Sequence, residues 1–146
     1  MDPIQTIEQI IDSRFRIAAL ATRNPRRVCE VFERLARLTG RAVYRWSPET
    51  GLQRLAGPYE PIPGTRSLPG ALDYIASTIH FGIYLLPGVQ DLLADPRIDE
   101  RLWKIVQGPE RARRLVVLMD EDPALPRRLA PFAVRIVHGA RRRSTA

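Results

Sequence analysis

The chain has 146 residues, 45% of them apolar, and this predicts a single domain that folds around one core. Its formal net charge is +7, and Lys104 is its only lysine. The single cysteine, Cys29, excludes an intramolecular disulfide and a cysteine-based zinc site. No apolar run approaches the roughly 20 residues of a membrane helix, and the acidic start does not resemble a signal peptide, so a cytoplasmic protein is predicted.

Helical and strand patterns alternate along the chain, with glycine or proline between most of them. In chain order, the predicted elements are a helix (3–14), a strand (15–22), a helix (25–40), a strand (41–47), a loop or small hairpin (48–67), a helix (68–79), a strand (80–86), a short turn (89–96), a helix (98–113), a strand (114–120), a loop (121–131) and a strand (132–138).

This alternation predicts an α/β three-layer sandwich. The strands are continuous apolar runs, which is typical of strands covered on both faces. Strand–helix–strand units require right-handed crossovers, so the five strands are predicted to form a mostly parallel sheet. Residues 1–138 are predicted to form one domain, and residues 139–146 are predicted to be a basic disordered tail.

The sequence ATRNPRRV, after the first strand, lies where a phosphate-binding loop would lie but lacks the residues of one. Such a loop needs glycines that let backbone N–H groups approach phosphates, and a lysine that reaches the outer phosphates. Here side chains replace the glycines, Pro25 has no N–H, and the first carboxylate after the third strand, Asp91, comes late. We therefore expect no catalysis and no nucleotide or metal cofactor. Binding of an anion by Arg26 and Arg27, at the start of the helix, stays an alternative.

Other chemically active residues favour structural roles. Cys29 is predicted to be a buried apolar residue, and His80 and His138 are predicted to mark strand boundaries. The acidic run at residues 120–122 is predicted to be a solvated loop. The arginines can contact phosphates, so nucleic acid is a possible partner, but the chain carries no recognised nucleic-acid-binding motif. These arginines are Arg111, Arg113, Arg114, Arg127, Arg128, Arg141, Arg142 and Arg143.

Several segments resemble the N-terminal ATPase-like domain of Ycf-type AAA+ proteins. They include residues 40–52, which end in YRWSPETGL, and the passage DLLADPR between a strand and a helix, and the likeness covers roughly residues 7–137. In that family a non-catalytic, RecA-like domain precedes a true AAA+ module. The resemblance implies the P-loop NTPase strand order 5-1-4-3-2 without the phosphate loop, and a role in assembly or regulation. The catalytic second module has no counterpart in this sequence, so no catalytic residue is carried over.

The implied strand order makes the second strand an edge of the sheet. Its unpaired backbone groups would lie beside two arginines and two aromatic residues, which favours a dimer seam or a docking strip. The predicted partner-binding residues are therefore Arg41, Tyr44, Arg45 and Trp46.

The leading hypothesis is a non-catalytic, ATPase-like interaction module that serves an AAA+ ATPase or associates with itself. One alternative is a basic accessory protein that binds nucleic acid. A third is an enzyme or nucleotide sensor that uses a rebuilt pocket at the strand ends.

Overall fold

The computed structural model of the chain describes residues 3–109 and 113–138, and it is an α/β sandwich in which helices cover both faces of one sheet. In chain order, the elements are α1 (Pro3–Asp12), β1 (Ile17–Ala21), α2 (Pro25–Thr39), β2 (Val43–Ser47), β3 (Gly51–Arg54), α3 (Leu68–Ser77), β4 (Gly82–Pro87), α4 (Pro96–Val106), β5 (Arg114–Asp120) and β6 (Ala133–Val137). The predicted α/β class with a mostly parallel sheet is confirmed. The predicted tail, residues 139–146, lies outside the described residues.

The strands form one sheet in the order β3–β2–β4–β5–β1–β6. All neighbouring strands are parallel except β2 and β3, which are antiparallel. The five predicted strands lie in the order that the resemblance implied. Their number is wrong, however, because the region predicted as a loop or small hairpin adds a sixth strand, β3, beyond β2.

The prediction that β2 is an edge strand is therefore wrong. β3 pairs along β2 from Tyr44 to Ser47, and the following loop covers the outer side of β3. There, the Leu52 N–H donates to Thr65 Oγ1 at 2.8 Å, and the Ile62 N–H donates to the Leu52 carbonyl at 2.8 Å. The backbone groups of β2 that were predicted to be unpaired are therefore bonded to β3.

Each face of the sheet carries its own core. Successive residues of β5 alternate between them, so Val116 packs toward α3 and α4 whereas Leu115 and Val117 pack toward α1 and α2. This explains why the strand is apolar at every position from Leu115 to Met119 rather than at every second one. Cys29 is buried on the α1–α2 face, as predicted.

Three helices begin at the edge of the sheet where the parallel strands end, and each begins with a side-chain cap followed by a proline. Asn24, Ser67 and Asp95 accept a hydrogen bond from a backbone N–H in the first turns of α2, α3 and α4, respectively. The caps satisfy N–H groups that have no partner within the helix. Among the helices that the structure describes, none has the length and apolarity needed to cross a bilayer.

Candidate functional site

The junction between β1 and α2 is where a nucleotide-binding fold of this topology would hold phosphate. Two of its backbone donors are engaged by side chains of the turn itself. Asn24 Oδ1 accepts from the Arg27 N–H at 3.1 Å, and Thr22 Oγ1 accepts from the Asn24 N–H at 2.9 Å. Pro25 occupies the first helical position and has no N–H to offer. An anion would therefore have to displace bonds that already hold the turn.

His138 closes the same junction from the neighbouring strand. Its Nδ1 lies 2.8 Å from Thr22 Oγ1, and its N–H donates to the Ala21 carbonyl at 2.9 Å. The Thr22 N–H in turn donates to the Asp120 carbonyl at 2.8 Å, and Thr22 is buried. The sequence predicted His138 to be only a boundary residue, because no local pattern joins two residues 116 positions apart.

In the part of the chain that the structure describes, the titratable residues outside this junction offer neither a three-ligand metal site nor an activated thiol. Within residues 3–109 and 113–138, no three histidine, cysteine or acidic side chains lie close enough to hold a metal ion. Desolvation by burial raises the pKa of the Cys29 thiol, and the charge of Arg45 opposes this only in part. A buried thiol that keeps its proton is a poor nucleophile.

The two predicted aromatic partner residues face the core under α3 and α4. Trp46 is only 5% exposed, and its Nε1–H donates to the Thr65 carbonyl at 2.8 Å. Tyr44 is half-buried and stacks on Tyr84 with ring centroids 4.9 Å apart. Burial is also the main reason that the pKa of Tyr44 is raised. Both side chains thus hold β2 to its own domain.

The two predicted arginines are directed elsewhere. Arg45 is exposed, and its charge acts on Cys29 of α2, so it lies on the opposite face from Trp46. Arg41 is half-buried, with its guanidinium 5.7 Å from the centre of the Phe81 ring. The four predicted residues therefore do not form one surface. Their role in partner binding stays a prediction, but the reason given for it, an unpaired edge at β2, no longer applies.

The opposite edge of the sheet, formed by β6, has no further strand paired to it among the described residues. In the part of the chain that the structure describes, β6 pairs with β1 on one side and no strand lies beyond it. The N–H of His138 points toward β1, so the alternate residues Arg135 and Val137 turn their backbone groups outward. Both residues are exposed, Val137 to 60%.

The chain matches a known protein family. The family described as "SpoVK-like AAA ATPase, N-terminal domain" matches residues 3–138, which is nearly the whole chain. No curated protein and no solved structure matches the chain. The match agrees with the resemblance to an N-terminal AAA+ domain, and the group that it names is SpoVK-like. The more specific relationship to Ycf-type proteins stays a prediction.

Proposed function

Since the chain belongs to the family of N-terminal domains of SpoVK-like AAA ATPases, we propose that it is a non-catalytic interaction module of an AAA ATPase assembly. The observation that carries the proposal is the self-capped turn between β1 and α2. Catalysis of phosphoryl transfer depends on backbone N–H groups and a lysine around the phosphates. The turn has no lysine, Pro25 has no N–H, and the N–H groups of Asn24 and Arg27 already donate to side chains of the turn.

The position of the only lysine supports the same proposal. Lys104 lies in the last turn of α4, close to where the chain enters β5. It is therefore near the amino ends of the parallel strands, whereas the β1–α2 turn lies at their carboxyl ends. No rearrangement of a single side chain brings an ammonium group to that turn.

The open edge at β6 is the surface that we propose for assembly. An edge strand offers unpaired N–H and C=O groups to a strand of another chain. At β6 these groups belong to Arg135 and Val137, and the exposed Val137 side chain adds apolar contact. The partner is an AAA ATPase module or a second copy of this chain, and the edge serves either.

One substitution tests the role of the β6 edge without breaking the bonds that hold the fold. The N–H of Arg135 points away from β1, so Arg135→Pro removes an outward donor while leaving the β1–β6 bonds in place. Arg135→Ala is the matched control, because it removes the charge and keeps the N–H. Light scattering of the chain, alone and with a purified SpoVK-like ATPase module, should reveal an assembly that Arg135→Ala retains and Arg135→Pro loses.

Calorimetry with ATP and Mg²⁺ tests the non-catalytic part of the proposal, and we expect no heat of binding. Micromolar affinity for nucleotide would overturn it. A chain that stays monomeric and ignores the ATPase module would overturn the interaction part. A salt-dependent shift of a DNA probe would favour the nucleic-acid alternative instead.

A further inference from the structure

An apolar slot lies between α1, α2 and the sheet, next to the β1–α2 junction. Ile7 and Ile10 of α1 and Val28 and Val31 of α2 form its walls, and its floor includes Leu20 of β1. Its volume is about 390 Å³, which is within the range of cavities that hold small molecules. We call the cavity that these residues line the α1–α2 slot.

Among the described residues, the lining of the α1–α2 slot includes one arginine and no acidic residue. Arg27 and His138 are among the residues that line it, and in the described part of the chain none of the lining residues is acidic. Arg27 is exposed and only loosely paired, with its Nη1 3.4 Å from Glu30 Oε1. The slot also lies beside the first turn of α2, and the positive end of that helix adds to the attraction for an anion.

We propose that the α1–α2 slot binds a medium-chain carboxylate. The apolar chain of such a ligand would replace water against Val31 and Ile10, and its carboxylate would lie at the Arg27 side. Each buried methylene strengthens binding by about fourfold. The ligand class follows from this pairing of an apolar interior with the Arg27 guanidinium and no lining carboxylate among the described residues. The slot shares the Val137 side chain with the proposed assembly surface, but it involves neither nucleotide nor the outward backbone groups of β6.

The chain length and the charge of the ligand are tested separately. Isothermal calorimetry of the full chain, below the critical micelle concentrations, compares decanoate with butanoate, decanol and decylamine. We expect decanoate to bind at least tenfold more tightly than butanoate and decylamine, and more tightly than decanol. Arg27→Gln should weaken decanoate by about threefold and leave decanol unchanged, because an exposed ion pair contributes modestly.

Filling the slot provides the structural control. Val31→Trp places an indole in the slot and should abolish binding of both decanoate and decanol. Leu38→Trp adds the same ring to the same helix at a residue that is 66% exposed, and should leave binding unchanged. Ile10→Trp fills the slot from α1 and replaces Val31→Trp if that variant fails to fold, as judged by circular dichroism.

Three results would overturn the proposal. They are no binding of decanoate at millimolar concentration, equal binding of decanoate and decylamine, and equal loss of binding in Val31→Trp and Leu38→Trp. If the slot variants abolish contact with a purified ATPase module while decanoate does not bind, the slot is a protein contact and the carboxylate proposal fails.

Discussion

Replacing Trp46 with phenylalanine separates a structural role for this residue from the partner role that the sequence predicted. In the fold, the indole N–H satisfies the Thr65 carbonyl at 2.8 Å, and Thr65 itself is only 1% exposed. Trp46→Phe therefore leaves a buried carbonyl without this donor. The loop that covers the outer side of β3 loses one of its attachments to β2.

The cost has two parts. Leaving a buried acceptor unsatisfied costs about 1–3 kcal/mol. The smaller ring also leaves unfilled space, which adds about 1 kcal/mol. The sum is about 2–4 kcal/mol, which lowers the Tm of a chain of this size by about 6–12 °C.

Urea unfolding followed by circular dichroism measures this free energy, and thermal unfolding measures the shift in Tm. Tyr59→Phe is the control, because Tyr59 is 41% exposed and its variant should stay within about 0.5 kcal/mol of the parent. If Trp46→Phe is as stable as the parent but assembles poorly, Trp46 is a partner residue and the structural reasoning fails.

Two further predictions concern the same side of the sheet. Gly51 has φ +80°, and a Cβ there would lie 2.8 Å from the Thr65 carbonyl carbon, so Gly51→Ala should cost at least about 3 kcal/mol in urea unfolding. Gly64→Ala, at φ +77° with open space around it, should cost only about 1 kcal/mol, and equal costs would contradict the close packing. Desolvation by burial raises the pKa of Tyr84 to about 12, so the folded chain keeps this hydroxyl neutral at a pH where the unfolded chain ionises it. The neutral form therefore contributes about 3 kcal/mol to the free energy of unfolding below pH 10, and this contribution is lost as the pH rises from about 10 to 12. Stability measured against pH should therefore fall less steeply across that range in Tyr84→Phe, and an unchanged slope would refute the assignment.

The positions of the five longer strands in the chain could be predicted because their signal is local. Each is a short and mostly apolar run, whereas the order of the strands in the sheet came from the resemblance. β3 carried no comparable signal, because Gly51–Arg54 is short and lies in a Pro- and Gly-rich region. Its strand conformation depends on pairing with β2 and on Thr65, which lies beyond it in the chain.

The error over β3 accounts for the error over the candidate surface. Arg45 and Trp46 are neighbours in sequence, but adjacent residues of a strand point to opposite faces. Once β3 covers β2, these side chains share neither a face nor an open edge. The physical argument that unpaired backbone groups attract a partner still holds, and it applies to β6 instead.

The contacts around His138 were beyond sequence reasoning for a different reason. Its hydrogen bond to Thr22 joins the two ends of the domain, and neither residue lies in a recognisable motif. The α1–α2 slot likewise exists only after α1, α2 and three strands have come together. Hydrophobic periodicity predicts which side of a helix or strand is buried. It does not predict where the packed elements leave a cavity between them.

The capped helix starts bear on how a phosphate site could be built into this domain. At α2, α3 and α4, a proline and a capping side chain together replace the free amides that could bind a phosphate. Building an ATP site at α2 would require losing Pro25, freeing the amide held by Asn24, and acquiring glycines and a lysine. Each change alone would weaken the helix start by about 1 kcal/mol or bring no affinity. Several of these changes are therefore needed together, and no single substitution would turn this helix start into a phosphate site.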